Sequence, residues 1–178
     1  AVESGMDVHI ESQIKRLHES STKAIIVVTG GGARAIDWLL SVPGASRTIL
    51  EAQVPYDSMA LLRFLGYQPK PAVAMETAND MARNAYLKAR RLYPAGANVV
   101  GIGCSAAIAT DRPKKGAHRC FVSSWTERGS TAYKVTFTKG CRDRNSEENL
   151  VSKLILHALT NVSDVEVDLS LGLKKGEV

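Results

Sequence analysis

The stretch AIIVVTGGGARAIDWLLSV, residues 24–42, decides the fold class. Its first half is a continuous β-branched run, the pattern of a strand buried on both faces. Three glycines follow, and the second half spaces its apolar residues as a helix does. Strand, Gly-rich turn and helix in this order form half of a crossover unit, in which a helix packs on the sheet that its strand enters.

The flanking sequence extends the pattern. Upstream, Val8, Ile10, Ile14 and Leu17 recur at helical spacing among charges, predicting a short amphipathic helix on the surface. Downstream, Pro43-Gly44 stops the first crossover helix, TILEAQVPY reads as a second strand, and Asp57 or Ser58 caps a short helix that ends at Gly66. Met75 to Leu92 is a long helix, and NVVGIGCSA is again strand-like. After the polar loop ATDRPKKG, the stretches HRCFVSSW and TAYKVTFT alternate around Glu127-Arg128-Gly129-Ser130 as a β-hairpin. The last helix starts near Ser146, with Glu147 and Glu148 in its first turn, and buries Leu150, Leu154, Ile155, Ala158 and Leu159. Helix-linked and hairpin-linked strands in one chain predict an α/β fold, a three-layer α/β/α sandwich with a mixed sheet. Residues 1–21 are expected to be an N-terminal helix within the domain, 22–162 the α/β domain, and 163–178 a weakly strand-like tail or linker.

Composition excludes several classes. At 178 residues, 44% apolar, one domain with a core of its own is expected. The longest uncharged apolar run, Asn98 to Thr110, falls short of the about 20 apolar residues that a membrane helix needs. Three cysteines, Cys104, Cys120 and Cys141, show neither paired nor metal-ligand spacing, so a reducing, cytoplasmic setting without a disulfide framework is expected. His9, His18, His118 and His157 also lack metal spacing, two of them lie on predicted surface helices, and no metal or cofactor is expected. No leader is read at the N-terminus, where Ala1 to Gly5 precede a start near Met6. The net charge of +5 concentrates in the second half: Arg112, Lys114, Lys115, His118 and Arg119, then Lys134, Lys139, Arg142 and Arg144. Such a surface is either merely solvated or meets an anion. With only five Tyr, three Phe and two Trp, base stacking has little to build on, so a small phosphorylated ligand is expected rather than nucleic acid.

Two segments carry candidate chemistry. At Val28-Thr29-Gly30-Gly31-Gly32-Ala33-Arg34, backbone N–H groups and a helix N-terminus could face an anion. The spacing matches neither GxxxxGK[ST] nor GxGxxG, and the alternative reading is a plain tight strand-to-helix connection. Gly101-Ile102-Gly103-Cys104-Ser105-Ala106-Ala107 sits at the end of a central strand, where ligands of open α/β sheets collect. Gly103 to Ala107 also has the small-x-nucleophile-x-small form of a hydrolase elbow. Cys104, Ser105 and Asp111 are therefore the candidate reactive side chains, against packed or loop-lining roles. Asn161-Val162-Ser163 matches a glycosylation acceptor and is read as incidental.

With these segments in order, residues Thr22 to Asn161 resemble the CinA C-terminal domain family, best known for hydrolysing nicotinamide mononucleotide to nicotinic acid mononucleotide and ammonia. Thr29-Gly30-Gly31 is similar to the end of the family's Ser-Cys-Thr-Gly-Gly turn, and Val42-Pro43-Gly44-Ala45-Ser46 to its Val-Pro-Gly-Ser-Ser. Tyr56 and Arg63-Phe64-Leu65-Gly66 resemble its Ala-Tyr-Ser-Asn-Glu-Ala-Lys and Leu-Leu-Gly stretch. Gly101-Ile102-Gly103, Thr110 and Gly116 resemble its Gly-Ile-Ala-Gly-Pro loop, Thr and Gly, and Arg144 its Gly-Asp-Arg segment. The departures fall on the chemistry: the family's Ser and Lys fall at Val27 and Leu61. Loss of both removes nucleophile and base together.

The resemblance thus implies a nucleotide-binding pocket without the usual amidohydrolase activity, using Thr29, Gly30, Gly31, Tyr56, Gly101, Gly103, Thr110 and Arg112. A hydrolase with a rebuilt centre, or a structural or regulatory module of a longer, nucleotidyltransferase-containing protein, are the alternatives. By the same analogy a homo-oligomer is expected.

Overall fold

The computed structural model describes residues 6–113, 116–138, 140–163, 165, 173 and 177–178. Lys114, Lys115 and Lys139 of the two basic clusters, and most of the tail, lie outside the described residues.

Among the described residues, five α-helices and five strands follow one another in the order that the sequence patterns imply: α1 Val8–Glu19, β1 Thr22–Thr29, α2 Ala33–Ser41, β2 Ile49–Gln53, α3 Ser58–Leu65, α4 Met75–Leu92, β3 Asn98–Ala107, β4 Arg119–Thr126, β5 Gly129–Thr136 and α5 Arg144–Val162. They build one sheet in the order β2-β1-β3-β4-β5. β1 runs parallel to β2 and β3, whereas β4 is antiparallel to β3 and to β5. This is the mixed sheet expected from one crossover region followed by a hairpin.

The continuous apolar run of β1 is explained by burial on both sides. Ala24, Ile26 and Val28 join a core with α1, α2 and α5, while Ile25 and Val27 join a second core with α3 and α4. The first contains Trp38, Leu39, Leu150, Ile155 and Leu159, so it is the larger anchor of the fold. α1 contributes Ile10, Ile14, Leu17 and also His18, which is fully buried rather than on the surface side of the helix. Its Nε2 lies 2.9 Å from the Leu39 carbonyl and its Nδ1 2.8 Å from Thr48 Oγ1. The carbonyl can only accept, so Nε2 carries the proton and Nδ1 accepts from the threonine hydroxyl.

β3 continues to Ala107 without a turn at Gly101–Gly103, and every residue from Gly101 to Ala107 pairs with β4. The glycines serve packing instead. A Cβ on Gly101 would come within 2.0 Å of the Ala82 carbonyl, and one on Gly103 within 2.2 Å of the Ala78 carbonyl. Their absence of side chains lets α4 press its small stripe, Ala78, Ala82, Ala85 and Ala89, directly onto the strand. No strand-to-helix elbow forms at Ser105, because the segment is committed to the β4 ladder.

α5 starts at Arg144, two residues before the expected Ser146, because the Asp143 carboxylate accepts the Ser146 N–H at 2.8 Å and caps it. It also buries more than one face: Val151 and Leu156 are as inaccessible as Leu154 and Ile155.

Candidate functional site

The carboxyl ends of β1 and β2 and the first turns of α2 and α5 converge on an open cavity of about 580 Å³, lined among others by Val28, Gly31, Arg34, Tyr56, Arg144 and Glu148. Its position follows from topology, since loops leaving parallel strands gather at one edge of the sheet.

The Gly-rich turn after β1 has the backbone shape that its composition implies. Gly30 and Gly32 have φ of 80° and 100°, in the left-handed region that favours glycine. A Cβ on Gly30 would fall 1.9 Å from the Ala106 carbonyl, so this turn lies directly against the end of β3.

The N-terminus of α2 is filled by the chain itself. Glu148 accepts the Gly32 N–H through both carboxylate oxygens, at 2.9 and 3.0 Å, and the Arg34 N–H at 3.0 Å. Ser152 Oγ takes the next N–H, from Ala35 at 3.0 Å, and donates to Glu148 Oε1 at 3.3 Å. Gly32, in the cap position, has no side chain to do this, so α5 supplies the cap across the site. The donors expected to face a ligand are therefore bonded to a resident carboxylate.

The neighbouring Glu147 is fully buried and does the same for the second loop. It accepts the Ala109 N–H at 2.5 Å and sits 2.9 Å from His118 Nδ1, tying the exit of β3 to the approach to β4. Two consecutive glutamates of one helical turn thus pin both loops that flank the site.

Arg144 spans the mouth of the cavity. Its Nη1 donates to the Ala109 carbonyl at 3.0 Å, and its Nη2 to the Gly30 carbonyl at 3.4 Å and to Tyr56 Oη at 3.5 Å. Arg34 is held beside it, donating to the Asn145 carbonyl at 3.0 Å and to Asn149 Oδ1 at 2.5 Å. Tyr56 is 62% exposed, so its ring is available to a molecule entering the cavity.

Of the residues that the sequence singled out, Gly30, Gly31 and Tyr56 meet here, joined by Arg144. Thr29 is buried at the end of β1, paired with Ser105. Gly101 and Gly103 lie beneath α4, away from the cavity lining. Thr110, Asp111 and Arg112 occupy an exposed loop in which Thr110 Oγ1 donates to the Arg112 carbonyl at 3.0 Å. Cys104 and Ser105 project to opposite sides of β3. Cys104 Sγ is 3.7 Å from the Gly31 carbonyl in the first core, and Ser105 Oγ donates to the Ala72 carbonyl at 2.7 Å on the other side. Burial pushes the Cys104 thiol well up from its ordinary value, which keeps it protonated. Val27 and Leu61 are both buried in the apolar cluster between the sheet and α3 and α4.

Glu148 and Asn145 were not legible as site residues, and Arg34 was visible only as the end of the Gly-rich segment. The acidic pair at the start of α5 was visible, but the partners of Glu148 lie at the start of another helix, 114 to 116 residues away. Among the described residues no group of three or more His, Cys, Asp or Glu side chains could hold a metal, and no helix is long and apolar enough to cross a membrane.

No family model matches the chain, and no curated protein does. Solved structures do. The competence/damage-inducible protein CihA from Agrobacterium tumefaciens superposes with a TM-score of 0.69 at 18% identity, covering 88% of this chain and 97% of that one. A competence or damage-inducible protein from Enterobacter asburiae gives 0.66 at 14% identity, covering 90% and 100%. A competence-damaged protein (CinA) superfamily protein from Escherichia coli gives 0.67 at 13% identity, covering 91% and 93%. At such identities the likeness is one of architecture, and the chain has the fold of the CinA superfamily proteins.

Proposed function

We propose that the chain is a CinA-like binding module for a small phosphorylated, nucleotide-type ligand, and that it does not hydrolyse amides by a Ser/Lys route. The observation that carries the reading is the meeting of Tyr56 and Arg144 at the mouth of one cavity, with Arg34 beside them. A guanidinium suits a phosphate or carboxylate, and an exposed phenol ring suits a planar group.

The absence of turnover is argued from Val27 and Leu61. Amide hydrolysis by a Ser/Lys pair needs a hydroxyl and an amine that share a proton. Both positions carry hydrocarbon here and sit in an apolar cluster. A rebuilt centre would have to use Cys104, Ser105 or Asp111, and the first two face opposite sides of the sheet while the third lies on an exposed loop.

A thermal-shift series tests this with nicotinamide mononucleotide, nicotinic acid mononucleotide, adenine mononucleotides and ADP-ribose, assaying ammonia release with the first. A ligand at about 100 times its Kd stabilises by about 2.7 kcal/mol, an easily visible shift. The expected result is a saturable shift that Arg144→Ala abolishes, without ammonia. Ammonia release would overturn the non-catalytic reading. No shift with any compound would overturn the pocket reading in favour of a structural or regulatory role.

A further inference from the structure

Glu177 is bound to Arg142, two residues before Arg144, and Val178 to Thr136 on β5. Val178 exchanges backbone hydrogen bonds with Thr136 on β5: the Thr136 N–H donates to the Val178 oxygen at 2.6 Å, and the Val178 N–H donates to the Thr136 carbonyl at 3.2 Å. Val178 thereby pairs with the outer edge of β5, in the way an extended peptide adds to a sheet edge. Beside it, the Glu177 carboxylate is fully buried. It accepts from Arg142 Nε at 3.0 and 2.9 Å and from Arg142 Nη2 at 2.8 Å, a two-pronged charged pair.

Three consecutive residues then face three ways. Arg142 holds Glu177 and also donates from Nη1 to Ser146 Oγ at 3.0 Å. Asp143 caps α5, and Arg144 reaches the cavity mouth. A bidentate pair fixes a guanidinium in both position and plane, so the backbone at Arg142 is held from outside while Asp143 holds it from within the helix.

We propose that Glu177 and Val178 form a strap that fixes the turn before α5, and that Glu177 is a positioning residue for Arg144 acting through Arg142. The strap itself stands on the contacts above; its effect on ligand binding rests on the pocket reading of the preceding subsection.

Hydrogen–deuterium exchange on the full chain tests the strap with Glu177→Gln, which keeps the shape and removes the charge. The expected result is exchange at least about tenfold faster in the amides of residues 141–147, with β1 and β3 amides unchanged, since a charge-assisted hydrogen bond lost from a local unit opens that unit first. Unchanged exchange in the turn, or an equal rise throughout the core, would overturn the proposal. Removal of Glu177 and Val178 together is the second variant, expected to give the same local pattern with Thr136 added.

The coupling is read with nicotinamide mononucleotide. In Glu177→Gln its Kd is expected to rise about five- to tenfold, and an unchanged Kd alongside a loosened turn would overturn the positioning role. If the unaltered chain binds no mononucleotide, the pocket reading fails by itself, and the exchange result still decides the strap.

Discussion

Val27 on β1 and Leu61 on α3 lie in one buried apolar cluster, 0% and 2% exposed, with Ile25, Met81, Ala85, Ala89 and Val99. These are the positions at which the family resemblance places a nucleophile and its amine. Hydrocarbon at both positions joins strand and helix in an apolar contact. The cavity beside Arg144 is lined by Val28, the next residue of β1, and neither Val27 nor Leu61 is among its lining residues.

A hydroxyl placed at Val27 is therefore expected to act as a core defect. Val27→Ser removes buried methyl surface and buries a hydroxyl in an apolar cluster, which should lower stability by about 1–3 kcal/mol. Leu61→Ala should cost about 2–4 kcal/mol through the cavity it leaves. Urea denaturation with unchanged slope would measure both, and a Val27→Ser chain as stable as the original would contradict the packing described here.

The bond between Glu148 and the first turn of α2 makes a second expectation. Glu148→Ala leaves the N–H groups of Gly32 and Arg34 without their carboxylate partner, and Gly32 cannot replace it. A loss of about 1–3 kcal/mol is expected, the range of a lost cap or a charged hydrogen bond. Amides at the start of α2 should lose exchange protection before those of its last turn.

Local patterns made the order of elements legible, because periodicity and turn chemistry act within a few residues. The mixed sheet followed from the contrast between the crossover at residues 24–42 and the hairpin at Glu127-Arg128. Local signals could not tell a glycine that turns the chain from one that admits a helix. Gly30 does the first and Gly103 the second, and only the approach of α4 separates them. His18 was misplaced for a similar reason: its position on α1 borders the apolar stripe, and its partners, Thr48 and Leu39, come from elsewhere in the chain. The cavity was half legible. The turn at Gly30-Gly31 and Tyr56 announced themselves, whereas Glu148 and Arg34 acquire their roles only when α5 crosses the end of α2.

Cysteine labelling separates the three thiols. Burial holds the Cys104 thiol well above its ordinary value and pushes that of Cys120 up to about 12, so neither forms thiolate at pH 8. Cys141 is exposed. Iodoacetamide at pH 8 should modify Cys141 alone in the folded protein and all three in urea, as counted by intact mass. Rapid native labelling of Cys104 would revive it as a reactive group.

The buried His18 predicts how stability responds to mild acid. Burial is the largest influence on it and lowers its pKa from the usual 6.5; the nearby Arg47 charge acts in the same direction, against the hydrogen bond to the Leu39 carbonyl. In the unfolded chain the imidazole takes up a proton near its usual pKa, while in the folded chain it stays neutral to lower pH. The unfolded state then binds more protons, so stability rises with pH. The contribution is complete above about pH 6.5 and is lost as the pH falls through 6.5 toward the folded value, no more steeply than about 1.4 kcal/mol per pH unit for one group. Glu51, held below the usual carboxylate value by its hydrogen bonds to Lys88 and Gln53, acts in the same sense but only below 4.5. Denaturant midpoints between pH 7 and pH 5 should therefore fall for the original chain. In His18→Gln, whose amide cannot take up a proton, the curve should start lower at pH 7 and flatten. An equal slope in both would place the pH response elsewhere.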